Sequence, residues 1–181
     1  SADPVPSGNV GAGAGATVGK VYGPERAMKG GVGHALVEVG PWQVGALVVC
    51  NALGDVVDPL TGQLLAGARV SAQSRDLLDI RQAQLEGRTM TKPAVGSNTT
   101  IGVVATDAIL TKPQAHRLAQ VAHDGLARSI RPVHTPMDGD TLFALGTGTS
   151  GQAADMMLLS TLAAEVTAMA VVNAVRSLVG H

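Results

Sequence analysis

The chain has 181 residues, 45% of them hydrophobic and only 2% aromatic, with a formal net charge of −1. This length supports one domain with a real core, and this hydrophobic share excludes a disordered chain. The near-neutral charge and the scarcity of aromatics, limited to Tyr22, Trp42 and Phe143, exclude a broad nucleic-acid surface and base-stacking platforms.

The core must therefore be built from Ala, Val, Leu and Ile. Cys50 is the only cysteine, so neither an internal disulfide nor a cysteine-rich zinc site is available. Its apolar surroundings predict an inert, buried thiol. The start carries no charged segment followed by an apolar one, and no apolar stretch reaches the ~20 residues of a membrane span. These features predict a cytoplasmic setting and no membrane partner.

Residues 1–19 read as a loop, ending in alternating Gly and Ala. Val32 to Val39 predicts a strand, with Val32, Ala35, Val37 and Val39 among Gly and polar residues. Trp42 to Cys50 predicts a second, largely apolar and buried strand. Asn51 to Asp58 reads as a turn and a short strand, and Pro59-Leu60-Thr61-Gly62 as a turn. Arg75 to Met90 is charged and weakly helical, with a ragged stripe of Leu77, Leu78, Ile80 and Leu85, and reads as an exposed, mobile connection. Lys92-Pro93-Ala94-Val95-Gly96 breaks any helix.

The pattern sharpens after residue 98. Thr99 to Thr106 predicts a strand. Thr111 caps a helix with Pro113 in its first turn and a stripe of Ala115, Leu118, Ala119, Ala122 and Leu126. Arg131 to Gly139 reads as an ordered loop with two prolines. Thr141 to Leu145 predicts a strand, and Ala153 to Val179 a long apolar helix. Sheets covered by helices, in layers, follow from this alternation. No internal repeat is present.

Four segments carry candidate chemistry. The glycine-rich run Gly11 to Lys20 fails as a phosphate loop: Ala14 stands where the first Gly is required, and Val21 follows Lys20. What survives is a close backbone approach, with Lys20 either solvated or facing a site. Asn51 ends the buried strand, and either bonds its own turn or offers an amide to an oxyanion. Asp138-Gly139-Asp140 is a tight turn, a pair of hard-cation ligands too few to act alone, or a clamp for a cationic group. His116, His123 and His134 are read as structural or exposed.

Asn98-Thr99-Thr100-Ile101 is the fourth. It fits a turn leading into a strand, and also a glycosylation tripeptide. Cut before Thr99, it places a hydroxyl nucleophile and an α-amine base, with a pKa of about 7.7–8.0, on one residue.

These motifs resemble a known family. Asn98 to Ile101, Ala122-His123-Asp124-Gly125-Leu126-Ala127-Arg128, Ile130-Arg131-Pro132 and His134-Thr135-x-Met137-Asp138-Gly139-Asp140-Thr141-Leu142-Phe143-Ala144 are similar to the self-processing aminopeptidases. That family includes the L-aminopeptidase D-amidase/D-esterase, the β-peptidyl aminopeptidases and the 6-aminohexanoate-oligomer (nylon-oligomer) hydrolase. The likeness extends upstream through the Gly/Ala loop ending at Lys20, Lys29-Gly30-Gly31-Val32-Gly33 and Val48-Val49-x-Asn51.

The resemblance implies a four-layer α/β/β/α sandwich. It implies one domain, 1–181, cut between Asn98 and Thr99 into a part ending at 98 and a part running 99–181, with Ser97 a weaker cut point. Thr99 would be the nucleophile, as in the threonine branch. Lys20 and Asn51 would bind and polarise the reacting carbonyl, and Asp138 and Asp140 would hold the Lys20 and Thr99 amine network. The implied substrates are small peptides, amides or oligoamides, with no cofactor, and the implied assembly is an oligomer of αβ units. Family precursors carry a further segment before the Gly/Ala loop, which supplies part of the pocket. Two rivals follow: an inactive α/β fragment that assembles with a partner chain, and a metal hydrolase on His134, Asp138 and Asp140.

Overall fold

The computed structural model describes residues 5–91 and 98–179. Its strands are β1 (Thr17–Val18), β2 (Met28–Lys29), β3 (Gly31–Val39), β4 (Trp42–Cys50), β5 (Asp55–Val57), β6 (Leu64–Ala66), β7 (Ile101–Thr106), β8 (Ile130–Arg131) and β9 (Thr141–Gly146). Its α-helices are α1 (Ile80–Leu85), α2 (Lys112–Ser129) and α3 (Met156–Val179). The expected breaker Lys92 to Gly96, and Ser97, lie outside the described residues.

The main sheet has the order β3-β4-β7-β9. β3 and β4 form an antiparallel hairpin, turning at Gly40 with φ +59°, a conformation glycine tolerates. β7 pairs antiparallel with β4 and parallel with β9, so the β7–β9 connection must cross over, and α2 makes that crossing. Thr111 caps α2 through a reciprocal capping box with Gln114. A second sheet, β6-β5-β8, and a β1-β2 ribbon complete the pairing.

Strand alternation divides the main sheet into two unlike faces. Val44, Ala46, Val48 and Cys50 of β4, Val104 of β7 and Leu142 of β9 point to one side and are buried with Leu118, Leu126, Leu159, Val166 and Val171 of the helices. The small residues of the sequence permit close layers. A Cβ on Gly33 would collide with the α3 backbone at Ala170 and Ala174, and one on Gly125 with Ala164 and Thr167, so glycine sets both approaches. Burial pushes the Cys50 thiol up to about 12, which keeps it inert.

Three expectations need correction. Residues 1–19 are not all loop: Gly11–Gly13 form a 3-10 turn and Thr17–Val18 pairs with β2. Arg75 to Met90 is not an exposed connection. Ile80 and Ala83 of α1 are buried with Val21, Tyr22, Leu53 and Ala68 in a second cluster. Finally, Met156–Arg176 is by length and composition apolar enough to cross a membrane, although 56% of its most apolar window is buried inside this fold. It begins at Met156, three residues later than expected.

Candidate active site

The sheet brings the scissile candidate to a junction of three backbones. Just before β7, the Thr99 N–H donates to the Asn51 carbonyl at 3.1 Å, one residue past the end of β4. The Asn98 carbonyl accepts from the Gly139 N–H at 2.9 Å, just before β9. Thr141 N–H then donates to the Thr100 carbonyl at 3.0 Å. The β4–β7–β9 pairing thus continues past the strand ends, and both polar atoms of the Asn98–Thr99 peptide are held by it. The Thr99 hydroxyl donates to the Asn98 carbonyl oxygen at 2.7 Å. Asn98 and Thr100 are fully buried on either side.

Lys20 reaches the same junction from the glycine-rich loop. Gly19, at φ +75°, passes so close to Gly67 and Ala68 that a Cβ would collide. Gly19 and Lys20 N–H groups bond the carbonyls of Gly54 and Leu53, both at 2.9 Å. Lys20 Nζ donates to the Asn51 carbonyl at 3.1 Å and to Asn51 Oδ1 at 2.8 Å. Asn51 Oδ1 also accepts from the Thr17 N–H at 3.1 Å. Burial lowers the Lys20 pKa to about 8, against the opposing pull of Cys50 and Asp138.

The two carboxylates brace the loop before β9. Asp138 accepts from the Thr135 hydroxyl at 2.7 Å and its N–H at 3.1 Å, and from the Leu53 N–H at 3.4 Å. Asp140 Oδ1 accepts from the Thr100 N–H at 2.9 Å, next to Thr99. Asp140 Oδ2 is buried without a well-aligned hydrogen bond among the described residues, but His134 Nδ1 lies 3.0 Å away at ion-pair distance. His134 has a left-handed φ of +54° and packs its ring 4.9 Å from that of His123.

Thr99, Lys20, Asn51, Asp138 and Asp140 are thus brought together with Asn98. Asn51 stands on the nitrogen side of the Asn98–Thr99 peptide. Among the described residues no group of three or more His, Cys, Asp or Glu is placed to hold a metal ion. The oxygens of Asp138 and Asp140 face backbone amides, a hydroxyl and an imidazole. Sequence reasoning missed the backbone members, Gly139 and Thr17, and grouped His134 with Asp140 only as metal ligands, where the structure has the two side chains facing each other directly. The one available signal was the place of Gly139 between two carboxylates directly before a strand.

A threonine hydroxyl just before a central strand, against the carbonyl of its own preceding peptide, within a layered α/β fold, fits the N-terminal-nucleophile class of hydrolase folds. The chain resembles the L-aminopeptidase D-Ala-esterase/amidase of Ochrobactrum anthropi, described as a variant of that fold, with a TM-score of 0.62 and 27% identity over 96% of this chain and 46% of that one. A Burkholderia β-aminopeptidase aligns with a TM-score of 0.58 and 26% identity, over 94% of this chain and 46% of that one.

The chain belongs to Peptidase family S58, whose profile matches residues 1–178. It is 49% identical over 144 residues to an uncharacterized aminopeptidase of Mycobacterium leprae, covering 78% of this chain and 37% of that protein. It is 34% identical over 145 residues to the 6-aminohexanoate-oligomer endohydrolase of Paenarthrobacter ureafaciens, covering 78% and 40%. The chain spans less than half the length of these relatives.

Proposed function

We propose that this chain is an amide-bond hydrolase that first cuts itself between Asn98 and Thr99 and then uses Thr99 as its nucleophile. The observation that carries this reading is the Thr99 hydroxyl, 2.7 Å from the carbonyl oxygen of its own preceding peptide, with that peptide fixed at both ends. In the self-cleavage the Thr99 oxygen adds to the Asn98 carbonyl carbon. The C–N bond then breaks, the hydroxyl proton ends on the Thr99 nitrogen, and an ester remains. Water hydrolyses the ester to an Asn98 carboxylate and a free Thr99 hydroxyl.

The new α-amine is formed beside the Asn51 carbonyl and Lys20. It takes the hydroxyl proton when Thr99 attacks a substrate amide and passes it to the amine that leaves as the C–N bond breaks; water then cleaves the acyl-threonine to the free acid and the Thr99 hydroxyl. Lys20 and Asn51 polarise the substrate carbonyl, and Asp138 and Asp140 keep the two segments in register. The substrates are small peptides, amides or oligoamides, the classes that the names of its relatives carry. The working assembly is an oligomer of αβ units.

Mass analysis of purified protein tests the first step. Two fragments, 1–98 and 99–181, are expected, and Thr99→Ala should leave one intact chain. An intact wild-type chain that still hydrolyses amides would overturn the reading. A second reading rests on the exposed outer face of the main sheet, where Leu36 and Phe143 are 60% and 58% exposed. Here the chain is a catalytically silent part that acts only beside a partner. Fragments that form on schedule but do not hydrolyse alanine p-nitroanilide would select it.

A further inference from the structure

The self-cleavage proposed above needs a donor for the negative charge that develops on the Asn98 oxygen. Asn51, the residue the sequence offers for such a role, meets this peptide through its own carbonyl, which accepts the Thr99 N–H. The oxygen side belongs to Gly139. We infer that the backbone N–H of Gly139 is the oxyanion donor of the self-cleavage step, and that residue 139 must be glycine because the nucleophile occupies the space of a side chain. This inference rests on the self-cleavage reading and adds a catalytic group to it.

Three observations support it. The Gly139 N–H already donates to the Asn98 oxygen at 2.9 Å in the intact peptide, so it is aimed at the atom on which the charge develops. The donor is held on both sides, which removes reorganisation during the reaction. Before it, the Asp138 N–H bonds the Thr135 carbonyl at 3.0 Å. After it, the Thr141 hydroxyl bonds the Gly139 carbonyl at 3.0 Å and the Thr141 N–H bonds Thr100. Finally, a Cβ built on Gly139 falls 2.7 Å from the Thr99 hydroxyl oxygen, closer than real contacts allow. Any side chain there displaces the nucleophile.

When the Thr99 oxygen adds to the Asn98 carbonyl, the carbonyl electron pair moves onto the oxygen facing Gly139. Collapse of that adduct expels the Thr99 nitrogen, which carries away the hydroxyl proton. The N–H therefore bonds the adduct more strongly than the peptide, which is the condition for catalysis.

The test replaces single backbone N–H groups by ester oxygen in the full chain, through α-hydroxy acids introduced during translation. Gly139→glycolic acid removes the donor without adding bulk. Self-cleavage is expected to slow by about 10²–10³-fold. Replacing Thr147 by its α-hydroxy analogue removes the N–H that bonds the Thr106 carbonyl at 2.9 Å, at the far end of the β7–β9 pairing, and should leave the rate close to wild type. Gly139→Ala keeps the N–H but moves the hydroxyl, and should also slow the cut. A Gly139 ester that cuts at the wild-type rate, or two esters that slow it equally, would overturn the inference while leaving self-cleavage intact. A wild-type chain that never cuts overturns both.

Discussion

Lys20 is a buried cation whose pKa burial lowers to about 8, from an ordinary value of 10.5. Between those two values the unfolded chain holds a proton at this position that the folded chain has released. Stability therefore rises with pH across roughly 8–10.5, by at most about 1.4 kcal/mol per pH unit from this one group. Urea unfolding at pH 8 and pH 10 reads the slope, in a Thr99→Ala background so that one intact chain unfolds. Lys20→Met should remove the increment, while other groups titrating in that range contribute equally to both proteins. Equal slopes would mean that Lys20 keeps its ordinary pKa. The same burial has a chemical consequence, since an amine titrating near 8 exchanges protons readily at working pH. The sequence offered Lys20, Asn51, Thr99, Asp138 and Asp140 as candidates, through distinctive side chains and through the likeness of their motifs to the family's. It hid the N–H groups of Gly139 and Thr17, because any residue carries one and only the strand register aims it.

At the level of elements, legibility followed length. β3 and β4 are nine-residue strands, and the expected ranges match them to within a residue, although β4 buries one face and not the whole strand that its apolar run predicts. α2 was legible from Thr111 and Pro113. β1, β6 and β8 have two or three residues each. Such strands exist only because a partner passes alongside, which no local pattern records. α1 failed differently: its charged surroundings hid one buried side, formed by residues far away in sequence. Asp55 ties that helix to β5. Its two oxygens accept the N–H groups of Ala68 and Ile80, both at 2.8 Å. Burial outweighs these bonds and pushes its carboxyl up to about 7, from 3.8. The folded chain therefore holds a proton that the unfolded chain has lost between about pH 4 and 7, and stability should fall as pH rises through that window. Asp55→Asn should abolish the fall. It should also cost about 1–3 kcal/mol near pH 4, because an amide can accept only one of the two N–H bonds at a single oxygen. Urea midpoints at pH 4.5 and 7 measure both effects, and an unchanged pH slope in the variant would refute the assignment.

The whole molecule is asymmetric across its main sheet. One face is sealed by α2 and α3. The register places Leu36, Leu47, Ile101, Val103, Phe143 and Leu145 together on the other, and five of these six are exposed. Soluble monomers rarely carry an apolar patch of this continuity. In a layered α/β/β/α sandwich a second sheet packs about 10 Å above such a face, and the relatives are more than twice as long as this chain's match to them. Thr99 lies two residues before β7, which crosses this face, so whatever covers the face also walls the surroundings of Thr99. Left open, the same surface should drive copies of the chain together. Sedimentation velocity across a concentration series is expected to show reversible association. Leu36→Ser with Phe143→Ser should weaken it while the far-ultraviolet circular dichroism stays unchanged, since neither side chain faces the helices. Leu60 is still more exposed, at 87%, but sits in the turn after β5. Leu60→Ser removes exposed apolar surface from the wrong place and should change nothing. Association that survives the double variant, or that falls equally with Leu60→Ser, would show that the sheet face is not its cause.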